Sequence, residues 1–283
     1  MKRLREWLLT LPSFGWLFFF FLIPACIVYA FAFKRADITG TILPGWSFNS
    51  IISLFESQSL ILAWRTVWIC SLTTFISICI AVPMSFYMAS SPASRQRKLL
   101  LCIMIPLWSS FIVRIFAWKI VLHPEGLIKT VLLYCGLVGE STPLLYNDLA
   151  ILIVMVYSYF PFAILPLYSA ASKFDFQLFE AAMDLGATHR RTFFTVYLPV
   201  MFPAILTASL MVLIPAAGAY VIPEIVGGNG SEMLGNTIAR RVLLDRNLPD
   251  ASALSLFLSA IIFIPAIVIS LWRSSHPSAK GSS

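Results

Sequence analysis

Six apolar runs, each near the length that crosses a bilayer, constrain this chain more than any other feature. They cover residues 14–33, 66–89, 99–122, 149–171, 200–222 and 254–272. At about 1.5 Å of helix rise per residue, some twenty residues match a hydrocarbon layer of about 30 Å. Apolar residues make up 59 % of the chain and charged residues 12 %, whereas a soluble domain holds about 45–50 % and 25 %. Prolines 24, 83, 106, 161, 166, 203, 215 and 265 fall inside the runs. In a soluble helix each would break the structure. In a bundle, neighbouring helices and hydroxyl side chains can satisfy the carbonyls that proline leaves free. The pattern predicts an all-α integral membrane protein with six transmembrane helices, a single domain over residues 1–283.

Lys2, Arg3 and Arg5 precede the first run, and Ala30-Phe31-Ala32 offers a small-x-small cleavage pattern. A secretory signal carries only about 7–15 apolar residues, so the longer run reads as an uncleaved first span. Orientation follows from the loops. With the N-terminus inside, segments 1–13, 90–98, 172–198 and 273–283 hold eleven Lys/Arg in 60 residues. The outer segments 34–65, 123–148 and 223–253 hold seven in 89, while nine of the thirteen acidic residues lie there. Positive charge collects on the cytoplasmic side, so both termini are expected inside. The same asymmetry accounts for the net charge of +7 without a nucleic-acid partner.

Several function classes drop out. The five cysteines (26, 70, 79, 102, 135) form no C-x-x-C pair, and the histidines at 123, 189 and 276 are too dispersed for a metal site. No metal, cofactor or catalytic residue is expected. No G-x-x-x-x-G-K-[ST] loop is present, so nucleotide is not hydrolysed here by that route. No Asp, Glu or His lies near the middle of a run, and no clear internal repeat appears. Both features count against a proton-coupled secondary transporter. Without a nucleophile–base constellation the chain is not expected to be an enzyme.

Two outer stretches, 136–147 and 227–250, are long enough for short helices or re-entrant pieces. Ser231–Leu244 places apolar residues at 233, 234, 238, 242 and 243, a helical spacing. An interfacial amphipathic helix and a docking surface for an external partner both fit it. Gly227-Gly228-Asn229-Gly230 before it reads as a hinge or turn.

The longest cytoplasmic connection, 172–198, is the most informative. Asp175 suits the N-cap of a short helix over Phe176–Leu185, and Gly186 suits the left-handed position that ends it. Thr188 can cap a second helix, with Pro199 in the first turn of the fifth span. The first helix presents Ala181, Ala182 and Leu185 beside Glu180 and Asp184, and small side chains let a helix press close to another surface.

Glu180-Ala181-Ala182, then Gly186, then Val196-Tyr197-Leu198-Pro199 resembles the EAA motif of the permease subunits of bacterial ABC importers, with Val196 where that pattern has Ile. The resemblance implies a coupling helix between spans 4 and 5 that sits in a groove of a separate ATP-binding subunit. Glu180, Ala181, Ala182, Asp184 and Gly186 would face that ATPase, while Leu198 and Pro199 fix the entry into the span. It further implies two cytoplasmic ATP-binding subunits that use the ATP, a second permease copy or homologue, and a periplasmic solute-binding protein. The place would be the bilayer of the bacterial inner membrane.

Phe111–Ile128 and Ala217–Gly228 resemble the permeases of spermidine/putrescine importers, the second stretch especially the putrescine-type subunit. That implies a polyamine cargo. A polycation needs carboxylates and aromatic faces, which Trp118 with Glu125 and Tyr220 with Glu224 would offer. Belt aromatics and solvated glutamates explain the same residues. An importer of the same architecture for an iron complex, thiamine or an oxyanion stays open. Arg114 lies deep in the third run, where a charge costs about 2.5–3.5 kcal/mol unless partnered. It is expected to be paired and structural, because an unpaired arginine would repel a cationic cargo.

Overall fold

Proline decides where the helices of this chain run straight and where they do not. The computed structural model describes residues 2–37 and 42–275, so His276 and the end of the C-terminal segment lie outside them. Helices α1 (Lys2–Leu17) and α2 (Ile23–Phe31) are joined by a π turn, Phe18–Leu22. Strand β1 (Arg35–Ala36) pairs antiparallel with β2 (Ile42–Leu43), Arg35 opposite Leu43. Then come α3 (Asn49–Ile52), α4 (Ser57–Ala89), α5 (Ala93–Met104), α6 (Phe111–Val121), α7 (Leu127–Tyr134) and α8 (Asp148–Ala171). The order ends with α9 (Phe176–Asp184), α10 (His189–Thr192), α11 (Leu198–Ala217), α12 (Val221–Val226), α13 (Leu234–Leu243) and α14 (Leu248–Ser275). Among the described residues, four helices are long and apolar enough to cross a membrane: Thr10–Phe31, Ser57–Ala89, Asp148–Ala171 and His189–Ala217. A bent pair, α5 with α6, makes a fifth if counted as one span.

The chain forms two compact units. In the described parts of 1–63 and 234–283, Ala32, Leu54, Ala63, Leu234, Ala253 and Leu254 make the buried core. Tyr29 Oη donates to Ser259 Oγ at 2.9 Å, joining α2 to α14. Asn247 caps α14 reciprocally with Asp250: Asp250 N–H donates to Asn247 Oδ1, and Asn247 Nδ2 donates to Asp250 Oδ2. In unit 64–233, α8 packs along α11, burying Ile151, Val154, Met155 and Ile164 on one helix and Ala208 and Val212 on the other. Phe14, Trp16 and Phe18 to Phe21 are all more than half exposed. Water would penalise that much bare aromatic surface, and lipid does not.

The two π turns share a cause. Phe18–Leu22 ends two residues before Pro24, and Phe193–Tyr197 ends two residues before Pro199. Proline has no N–H and crowds the carbonyl four residues back. Each helix widens by one residue instead: Ile23 N–H donates to Phe18 O, and Leu198 N–H to Phe193 O. Pro199 stands in the first turn of α11, as the sequence suggests, but α11 runs on from α10 through the π turn without a break. It lies inside one helical stretch that begins at His189. The same stretch ends at Ala217 rather than 222, so Tyr220 falls outside it.

The third run is the larger departure. Residues 99–122 are not one helix: α5 tightens into a 3₁₀ turn over Ile105–Trp108, Ser109 and Ser110 are extended, and α6 leaves at 94°. Pro106 starts the tight turn, and Ser109 offers its own hydrogen bonds in place of a continued helix. The Pro106 carbonyl accepts from Ser109 N–H at 3.3 Å, from Ser109 Oγ at 2.8 Å and from Arg114 Nη1 at 2.7 Å. Arg114 thus reaches back across the break, and its Nε is buried with no hydrogen-bond partner.

The 227–230 turn is tight for a steric reason. A Cβ at Gly228 would strike the carbonyl of Tyr146, whose N–H donates to Val226 O at 3.0 Å. The expected helix at Ser231–Leu244 is α13. Of 136–147 only turns and bends are present.

A hydrogen bond from a charged donor contributes about 1.5–3 kcal/mol, so Arg114→Ala should lower the unfolding temperature of the solubilised protein by about 5 °C. Wild-type stability together with altered solute selectivity would refute a structural role for Arg114.

Candidate functional site

The segment joining α8 to α11 is built by capping chemistry. Phe174 N–H donates to Ala171 O at 3.1 Å as α8 unwinds. Asp175 Oδ1 then accepts from Gln177 N–H at 3.0 Å and starts α9. The helix ends in a Schellman turn: Ala187 N–H donates to Ala182 O at 3.2 Å, and Gly186 N–H to Met183 O at 2.9 Å. Gly186 holds φ +88° with nothing near the position of a Cβ, so the left-handed backbone alone calls for glycine. Thr188 Oγ1 accepts from Arg191 N–H at 3.4 Å, beginning the long helical stretch that contains the second π turn.

This arrangement gathers five of the seven residues singled out for coupling. Glu180, Ala181 and Asp184 are exposed on α9, Ala182 is half-buried there, and Gly186 is exposed in its turn. Leu198 and Pro199 stand apart, beyond the π turn. Leu178, Met183 and Leu185 are also exposed, Leu185 at 91 %. The result is a short rigid helix, capped at both ends, displaying apolar and acidic groups together. Apolar and acidic side chains exposed side by side on a rigid helix have the chemistry that suits contact with another macromolecule.

Its inner face is aromatic. Phe179 is buried, and the Phe86 ring near the end of α4 meets five others. Ring centroids lie 4.9 Å away for Tyr197, 5.2 Å for Phe179, 5.4 Å for Phe193, 5.8 Å for Phe176 and 5.9 Å for His189. Phe174 adds edge contacts to Phe176 and Tyr197, and Ser85 Oγ pairs with Tyr197 Oη at 3.3 Å. Sequence reading missed this cluster. The signal was half visible as the run of rings between 174 and 197, but nothing local marks Phe86.

The residues suggested for a solute pathway are less gathered. Trp118 packs edge-on against Tyr157 at 5.1 Å. Glu125 is exposed in the turn before α7, its N–H donating to His123 Nδ1 at 3.3 Å. Tyr220 lines a pocket of about 140 Å³ with Phe111, Tyr159 and Pro215, where the α11 stretch breaks. Glu224 follows it, exposed in the first turn of α12. Trp118 and Glu125 are not in that lining, whereas Phe111 and Tyr159, not singled out from sequence, are.

Comparison with known proteins bears on the whole arrangement. The model of the family described as "Binding-protein-dependent transport system inner membrane component" matches residues 59–274. The chain belongs to this family. As an inner-membrane transport component it is 33 % identical over 249 residues to the Spermidine/putrescine transport system permease protein PotB of Haemophilus influenzae, covering 88 % of this chain and 87 % of that one. The protein of the same name in Escherichia coli is 27 % identical over 262 residues, with 93 % and 94 % covered. Among solved structures, a bacterial ABC transporter involved in the import of the acidic polysaccharide alginate superposes with a TM-score of 0.73 at 18 % identity, over 98 % of this chain and 97 % of that one. At that identity the likeness is one of fold. The transport component therefore carries the EAA-like residues on an exposed helix, within the part of the chain that the family model spans.

A β-branched side chain at φ +88° costs about 1–2 kcal/mol. Gly186→Val should therefore speed amide exchange at Ala187 about tenfold, with Gly186→Asn much milder because Asn tolerates that region. Unchanged protection at Ala187 in the valine variant would show that the turn keeps its form without glycine.

Proposed function

We propose that this chain is the permease half of an ATP-driven importer whose cargo is a polyamine, putrescine or spermidine. The observation that carries the mechanism is the capped, exposed helix α9 with Glu180, Ala181, Ala182 and Asp184 on its surface and Gly186 at its end. In this reading α9 seats in a groove of a cytoplasmic ATP-binding subunit, one of two that hydrolyse ATP. Their closure moves α9 as a rigid body and switches the bundle between outward and inward openings, a bistable element driven by contacts that differ between two states. One coupling helix makes half a transporter, so a second permease copy or homologue completes the pathway, and a periplasmic binding protein delivers the solute. The whole chain acts as one permease domain. Six spans with both termini cytoplasmic place α9 on the ATPase side, with the bent α5–α6 pair as the third span and α14 as the sixth.

The cargo rests on the relatives named for spermidine and putrescine, the nearer at 33 % identity over most of both chains. Trp118, Glu125, Tyr220 and Glu224 are the residues proposed to meet it, through cation–π and carboxylate contacts. Arg114, tied to the Pro106 carbonyl, serves structure rather than passage.

Vesicles containing this chain with its ATPase, second permease and binding protein should accumulate labelled putrescine or spermidine only when ATP is supplied. Uptake without ATP would overturn the driven mechanism, and ATP-dependent complexes that ignore both polyamines would overturn the cargo alone. In the same vesicles Gly186→Val should lower uptake per ATP hydrolysed about tenfold, in step with the cost of its turn.

A further inference from the structure

We propose that Phe86 is the positioning residue that ties the coupling helix to α4, so that movement of α9 is delivered first to the end of that helix. The inference rests on the proposed function and goes beyond it by naming the receiving element and the contact. Phe86 and Ser85 sit in the last turns of α4, which ends at Ala89. The five rings around Phe86 come from every part of the segment: Phe176 and Phe179 from α9, His189 from α10, Phe193 and Tyr197 from the π turn. They lie on both sides of the Gly186 turn, so one ring registers the position of α9 and of the helical stretch after it.

The geometry suits transmission. The contacts to His189, Phe193 and Tyr197 are edge-on, at 78°, 87° and 76°. Such pairs are favourable over a narrow range of orientations because the ring edge is positive and the face negative. Phe193 and Tyr197 stack on each other at 5.2 Å and 29°, across the π turn. Phe86 therefore meets a stacked pair rather than two loose rings. Beside it, the hydroxyl pair of Ser85 and Tyr197 fixes the neighbouring position on α4. An aliphatic side chain would fill the volume but lose the orientation. Close-packed contacts of this kind shift between discrete arrangements instead of yielding gradually.

The test uses the full complex in vesicles, reading ATP hydrolysis and solute uptake together. Phe86→Leu should co-purify with the ATPase and hydrolyse ATP within about twofold of wild type, while uptake per ATP falls about tenfold, as expected from losing two or more oriented ring pairs. Phe86→Tyr, which keeps the ring, should restore the ratio. Phe193→Leu should lower it too, and the double variant should be no worse than the worse single, since both remove one interaction. A wild-type ratio in Phe86→Leu, or losses that multiply in the double variant, would rule the proposal out. Should Phe86→Leu not assemble, Phe193→Leu decides: a several-fold loss sustains the proposal and a wild-type ratio ends it. A wild-type complex that takes up no polyamine overturns the cargo instead, and the ratio is then read with whatever solute its binding protein carries.

Discussion

A backbone carbonyl that loses its donor has no water to turn to inside a bilayer, and this chain places eight prolines inside its apolar runs, with Pro199 just before one, where that loss must be answered. The answers shape the molecule. At Pro24 and Pro199 the helix widens into a π turn and keeps its direction. At Pro106 the helix stops, and one carbonyl gathers Ser109 and Arg114 while the chain turns through 94°. The difference lies in the neighbours. Ile23 and Ala25 flank Pro24, and Leu198 and Val200 flank Pro199, none with a side-chain donor, whereas Ser109 and Ser110 follow Pro106 with groups that can replace helical bonds.

In the proposed mechanism the second π turn matters most, because it stands between α9 and the long helix that follows. A widened turn alone would be a loose joint. Here the Phe193 and Tyr197 rings bridge it and Phe86 closes the cluster from another helix. With Asp175 and Gly186 fixing the two ends of α9, the segment between α8 and α11 becomes a rigid block whose outer face is free for a partner. Rigidity and exposure together make a helix useful for carrying force between subunits.

Most of the helices were legible in the sequence because apolar length and loop charge are local properties. Asp175 and Gly186 marked the ends of α9, and Thr188 the start of the stretch after it, for the same reason: a cap acts within three or four residues of itself. The sequence overreached where a proline in an apolar run has more than one outcome. Residues 99–122 satisfy every rule for a single span, yet the break depends on which donors reach the Pro106 carbonyl, and Arg114 does so by folding back. Tyr220 fell outside its expected span because Ala219 N–H turns to Ala216 O and tightens the helix end.

The amino-acid sequence by itself determined that this protein lives in a membrane, that it carries a short helix capped at Asp175 and ended at Gly186, and that its family is that of binding-protein-dependent transport components. These follow from periodicity, capping and motif, which are short-range and additive along the chain. Only the tertiary structure decided how each proline is accommodated, that Arg114 answers a broken helix, and that Phe86 meets the coupling segment. Those depend on side chains brought together from distant positions, Phe86 with Tyr197 above all, and orientation-dependent ring contacts have no signature in the order of residues.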